Sequence, residues 1–267
     1  MSAETPVPIK RKRNWREVFG AVGRAHRKAS TQMESSAPLL QHLDELRKRI
    51  FAAFFVLIVT TGLCFAFSQQ IIEYLAKPIG GIQELVAIEI TENVSIFMKV
   101  SLLGGFALAM PVIVYEILAF VLPGLKKTEK RWLFFMVPFA ALLFLGGVAF
   151  TWFVMLPTAI PFLSNFLGIT TQIRPANYFD FITRLMFWIG ICFEMPLIVM
   201  FLAKLGFVSA KQLAGGWRYA IVGMAILAAA VTPTVDPVNM GLVMAPLMAL
   251  YLVSILLAAI VRRGSQT

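Results

Sequence analysis

"HLDELRKRIFAAFFVLIVTTGLCFAF", residues 42–67, joins a charged entrance to an apolar run that begins at Ile50 and meets no charged residue before Phe67. A helix over that run is about 27 Å long, close to the roughly 30 Å hydrocarbon core of a bilayer. The stretch therefore predicts a membrane span. Arg47, Lys48 and Arg49 at its mouth suit a cytoplasmic edge. Asp44 and Glu45, set among those cations, need a separate reason.

The rest of the chain agrees with a membrane setting. Of 267 residues, 59% are hydrophobic and only 14% charged, with a mean hydropathy of +0.79. That composition excludes a soluble globular domain and indicates a polytopic, all-α membrane protein. Two cysteines, Cys64 and Cys192, lie inside apolar runs, and the two histidines are His26 and His42. No disulfide framework, metal site or cofactor is expected from them. No nucleophile–base pairing or Gly-rich phosphate loop is present, so no enzyme is expected.

Apolar segments fall near residues 50–67, 95–122, 132–156, 179–202, 217–231 and 239–261, which predicts six transmembrane helices. The fifth is short, about 22 Å, and ends at Thr232-Pro233; such a mismatch implies local bilayer thinning or water entry. The connections at about 71–94 and 155–178 are long and still apolar. They are expected to form short helices against the bundle, with Pro78, Pro157, Pro161 and Pro175 at turns or helix starts.

Lysine and arginine counts set the orientation. The stretch to Arg49 holds 11, the second connection 4, the fourth 3 and the C-terminus 2, while only Lys77, Lys99, Arg174 and Arg184 fall on the opposite side. Both termini are thus expected in the cytoplasm. Residues 1–36 read as a basic cytoplasmic arm with an amphipathic helix around Asn14–Arg27, touching anionic lipid and not nucleic acid. Residues 37–261 are expected to form one six-helix transmembrane domain and 262–267 a short tail.

On a helix starting near Ser36, with Pro38 in its first turn, Leu39, Leu40, Leu43, Leu46 and Ile50 share one stripe. Glu45 falls off that stripe and faces water or a polar partner, whereas Arg47 sits at its edge and must snorkel or meet an acid. Glu45 has two readings. It pairs with Arg49 four residues on, or it joins Glu129, in "LPGLKKTEKRW", to take a guanidinium on an otherwise basic face. Glu194, in "WIGICFEMPLIVMF", lies at membrane depth beside Pro196, where a kink or freed carbonyl is expected. It serves either as a structural contact between helices or in transport, with Lys99 and Arg184 as candidate partners. Glu116 and Asp236 are weaker candidates, and Asp236 suits a cap of the sixth helix.

Five motifs in order then resemble one family: "LLQHLDELRKRI" (39–50), "AKPI" (76–79), "MPVIVYEILAFVLPGLKKTEKR" (110–131), "FEMP" (193–196) and "TPTVDP" (232–237). From about residue 37 to 261 the chain resembles the TatC family, the receptor subunit of the twin-arginine protein translocase. The resemblance implies a six-helix, cupped-hand bundle in a bacterial or archaeal cytoplasmic (inner) membrane. It implies binding of Arg-Arg signal peptides on folded cargo, TatA- and TatB-type single-span partners, self-association, and transport driven by the proton-motive force. By motif position, Glu45 and Glu129 resemble the peptide-contacting acids. Arg47, Phe120, Pro78 and Glu194 match functionally important positions, and Asp236 matches the acid of the last outer turn. The chain departs from the pattern in its long basic arm, the extra residue of "TPTVDP" and the missing histidine of "KKTEKR". The rival reading is a secondary transporter of a small solute with Glu194 as proton relay, though no inverted repeat supports it.

Overall fold

The structure, a computed structural model, describes residues 42–121, 127–164, 172–232 and 237–263; the side chains of 121, 127–135 and 262–263 lie outside the description. The expected arm helix, the start of the first helix at Ser36 and Asp236 all fall outside the described residues. By contact the chain divides into two units, Met1–Arg49 and Ile50–Thr267.

Every regular element among the described residues is helical. Five helices are long and apolar enough to cross a membrane. α1 is His42–Phe65. A turn leads to α2 (Ser68–Leu75), then two 3-10 turns at Lys77–Ile79 and Ile82–Glu84, and α3 (Glu92–Val121). α4 (Lys127–Phe150) continues through a π-turn, Thr151–Met155, into α5 (Leu156–Ser164). α6 (Pro175–Phe193) and α7 (Met195–Lys204) share one span, broken at Glu194. α8 (Ala210–Gly215) leads to the short α9 (Trp217–Val231), and α10 (Pro237–Arg263) closes the chain. The short fifth segment is found with the bounds its Thr-Pro terminator implied.

One expectation is corrected. Pro161 lies inside α5, not at a turn, because the third span runs on to Ser164 instead of ending near Leu156. The π-turn immediately before Pro157 explains how: an i→i+5 turn loosens the ladder where proline supplies no N–H. Pro78 and Pro175 do begin helical turns.

Burial explains which helix is central. The α6–α7 span is 56% buried in its most apolar window, against 6% for α1. α6 packs on α3 and α4, and α7 lies along α10. Phe179, Ile182, Leu185 and Ile189 of α6 recur at helical spacing and are all fully buried, with Val100, Met155 and Val243 packed into the same core. Close approach is possible where side chains vanish. A Cβ on Gly190 would stand 2.5 Å from Cε2 of Phe144, and one on Gly147 would stand 2.8 Å from the Gly190 Cα. α1 meets α3 in the same way, with Gly105 against the Thr61 backbone and the Thr60 hydroxyl donating to the Gly105 carbonyl at 2.8 Å.

Candidate functional site

At the α1 entrance, helical spacing sets the first acid pair. Glu45 and Arg49 are one turn apart, and Arg49 donates from Nη2 to Glu45 Oε1 at 2.7 Å and from Nε at 3.1 Å. Both side chains are only partly exposed, 34% and 25%. Asp44 is held by Lys48 at 2.9 Å on the more open flank. Arg47 is exposed, although the projection put it beside the apolar stripe; Leu43 and Ile50 of that stripe are exposed as well. Glu45 thus makes the helix-internal pair with Arg49, the first of its two readings.

The α3–α4 connection supplies the other candidates. Phe120 is half-buried on the last turn of α3, and Glu116 one turn earlier is half-buried too. Glu129 stands in the first turn of α4, and its side chain lies outside the described residues.

Glu194 is where sequence and geometry meet most closely. Pro196 cannot donate to the carbonyl four residues back, so the α6 ladder fails there and the chain turns at Glu194 before α7 begins. The Glu194 N–H bonds the Ile191 carbonyl at 3.0 Å, and its own carbonyl accepts from Ile198 at 3.0 Å. The side chain is 4% exposed, and its Oε1 has no hydrogen-bond partner among the described residues. Lys99 and Arg184 do not meet it. Both turn to Asp180, at 2.9 and 3.0 Å.

Sequence reading missed the polar contacts at the end of the bundle where α6 starts. Arg174 donates to Glu92 at 2.6 Å and to Glu89 at 2.8 Å, joining α3 to the segment before α6. The bonds from Glu92 and then Glu89 raise the guanidinium's pKa further above its ordinary value. Tyr178 of α6 donates to the Leu75 carbonyl at the end of α2, 2.7 Å away. Ser68 and Ser101 hydrogen-bond each other between α2 and α3. Pro78 is exposed in a groove of about 440 Å³ that it shares with Trp152, Pro157 and Pro161.

The family model described as Sec-independent protein translocase protein (TatC) matches residues 41–246, which takes in Glu45, Phe120, Glu129 and Glu194. The chain belongs to the TatC family. A TatC from Deinococcus radiodurans, named Sec-independent protein translocase protein, is 36% identical over 237 residues, covering 85% of this chain and 88% of the relative. A chloroplastic TATC of Arabidopsis thaliana is 39% identical over 232 residues, 85% of this chain and 67% of that protein. Among solved structures, a crystal structure of the twin-arginine translocase receptor TatC superposes with a TM-score of 0.72 at 33% identity, covering 81% of this chain and 97% of that one. A TatC receptor crystal structure in DDM gives 0.75 at 34% identity, with 81% and 99% covered. In this TatC-family chain Glu194 lies within Pro175–Lys204, a stretch long and apolar enough to cross a membrane, and Glu45 lies in the first turn of α1.

Proposed function

We propose that this chain is the receptor and scaffold of a twin-arginine translocase, binding Arg-Arg signal peptides of folded proteins and organising their passage through a cytoplasmic membrane. Family membership supports this reading over a solute transporter. The residue assignment is carried by motif position, since Glu45, Phe120 and Glu129 all lie in the matched family region, residues 41–246, and Glu45 exchanges its Arg49 partner for the incoming guanidinium. An incoming peptide arginine makes the same bonds in place of Arg49, and Glu129 takes the second arginine. Phe120 offers apolar contact to the residues that follow, and Arg47 repels cations that are not held by an acid.

The lysine and arginine bias favours both termini in the cytoplasm, with these acids on that face. Glu194 then serves a different step. Its unpartnered carboxyl oxygen at membrane depth accepts or donates a hydrogen bond to a single-span partner helix of the TatA or TatB type. Pro78 and Asp236 shape the outer loops, and the basic arm rests on anionic lipid.

Vesicles holding this chain with its single-span partners are expected to import a folded cargo bearing an Arg-Arg signal, and only under a proton-motive force. Uptake of a small solute by the chain alone, without such import, would replace this reading with the transporter.

A further inference from the structure

At the end of the bundle where α6 begins lies a pocket of about 380 Å³ that peptide binding leaves unused. Ile160 and Leu163 of α5, Phe181 of α6 and Val231 of α9 form its apolar wall. Arg174, Arg184, Asn177 and Asp180 form the polar one. Arg174 is taken up by Glu92 and Glu89 behind the wall, so Arg184 is the guanidinium that decides what the pocket accepts.

The Asp180 carboxylate is already shared. Asp180 takes Lys99 on one oxygen and Arg184 on the other, leaving the three-charge cluster with an excess positive charge. Its side chains are 41–47% exposed. Arg184 sits nine residues past Pro175, about 14 Å along α6. A half-exposed excess cation at that depth calls for an anion. Val231 explains how one reaches it. It ends a helix of 15 residues, about 22 Å long, and a bilayer thins beside so short a span. Headgroups therefore descend toward the pocket mouth, while the neighbouring apolar wall suits hydrocarbon.

We propose that this pocket binds an anionic phospholipid, with its phosphate on Arg184 and the first part of an acyl chain on Ile160, Leu163 and Phe181. The planar guanidinium fork matches phosphate oxygens, and only one of the Arg184 donors is spent on Asp180. The apolar wall distinguishes a lipid from free phosphate. The site is separate from the acids assigned to the peptide.

Native mass spectrometry of the purified full chain tests the assignment with phosphatidylglycerol, phosphatidylcholine and inorganic phosphate as probes. Phosphatidylglycerol is expected to be retained about fivefold better than phosphatidylcholine, and millimolar phosphate is expected not to displace it. Arg184→Gln should lower that retention about fivefold, while Arg184→Lys, which keeps the charge but loses the fork, should keep only part of it and Lys77→Gln, at a different groove, leaves it unchanged. Ile160→Trp fills the apolar wall and should lower retention with every charge in place, so the proposal stays testable if Arg184→Gln fails to fold. Equal retention of both lipids, indifference to Ile160→Trp, or full displacement by inorganic phosphate would each overturn it, the last by making this a small-anion site.

Discussion

Arg49 is the built-in rival of any arginine that comes to Glu45. An i,i+4 ion pair on a helix contributes about 0.3–0.5 kcal/mol, so removing the rival changes affinity by about twofold, in favour of the peptide. Arg49→Gln is therefore expected to bind an Arg-Arg peptide about twofold more tightly by equilibrium anisotropy, and Glu45→Ala about tenfold or more weakly, since hydrogen bonds to charged groups contribute about 1.5–3 kcal/mol. A second residue prediction concerns the buried Glu92, 3% exposed and tied to Arg174. Arg174→Ala should lower the melting temperature in detergent, and adding Glu92→Gln should recover part of the loss, because a neutral amide needs no cation. Glu45–Arg49 was legible in the sequence, since both residues lie on one helix face. Lys99–Asp180 was not, with the partners 81 positions apart and nothing in their local pattern to link them.

At the scale of elements, glycine decides how closely helices cross. Gly190→Val would drive methyl groups into the Phe144 ring, and Gly147→Val would push against the α6 backbone. Each is expected to cost about 1–3 kcal/mol, read as a lower midpoint in thermal unfolding in detergent, with Gly146→Val, whose Cβ would meet only the Phe193 ring at an ordinary 4.0 Å, costing less. Helix existence and the short α9 were legible because apolar length alone fixes them. The break at Glu194 was legible too, through Pro196. The extension of the third span was hidden, because Pro157 and Pro161 read as terminators and only the π-turn lets the helix carry them.

For the whole molecule, the proposed roles assign the two kinds of acid to two stages of transport. Glu194→Gln is expected to leave peptide affinity within about twofold of the original while import into vesicles falls sharply, since the amide keeps a hydrogen bond but cannot titrate. Raising ionic strength should weaken peptide binding and spare the buried core, because partly exposed ion pairs are screened and buried packing is not. The assignment of the α1 entrance to arginine recognition is tested most directly by equilibrium binding of the purified chain to an Arg-Arg signal peptide and its Lys-Lys counterpart, each repeated with Glu45→Ala and Glu129→Ala. The Arg-Arg peptide should bind at least about tenfold more tightly, with each substitution eroding that preference. Equal binding of the two peptides, or an undiminished preference in Glu129→Ala, would contradict it.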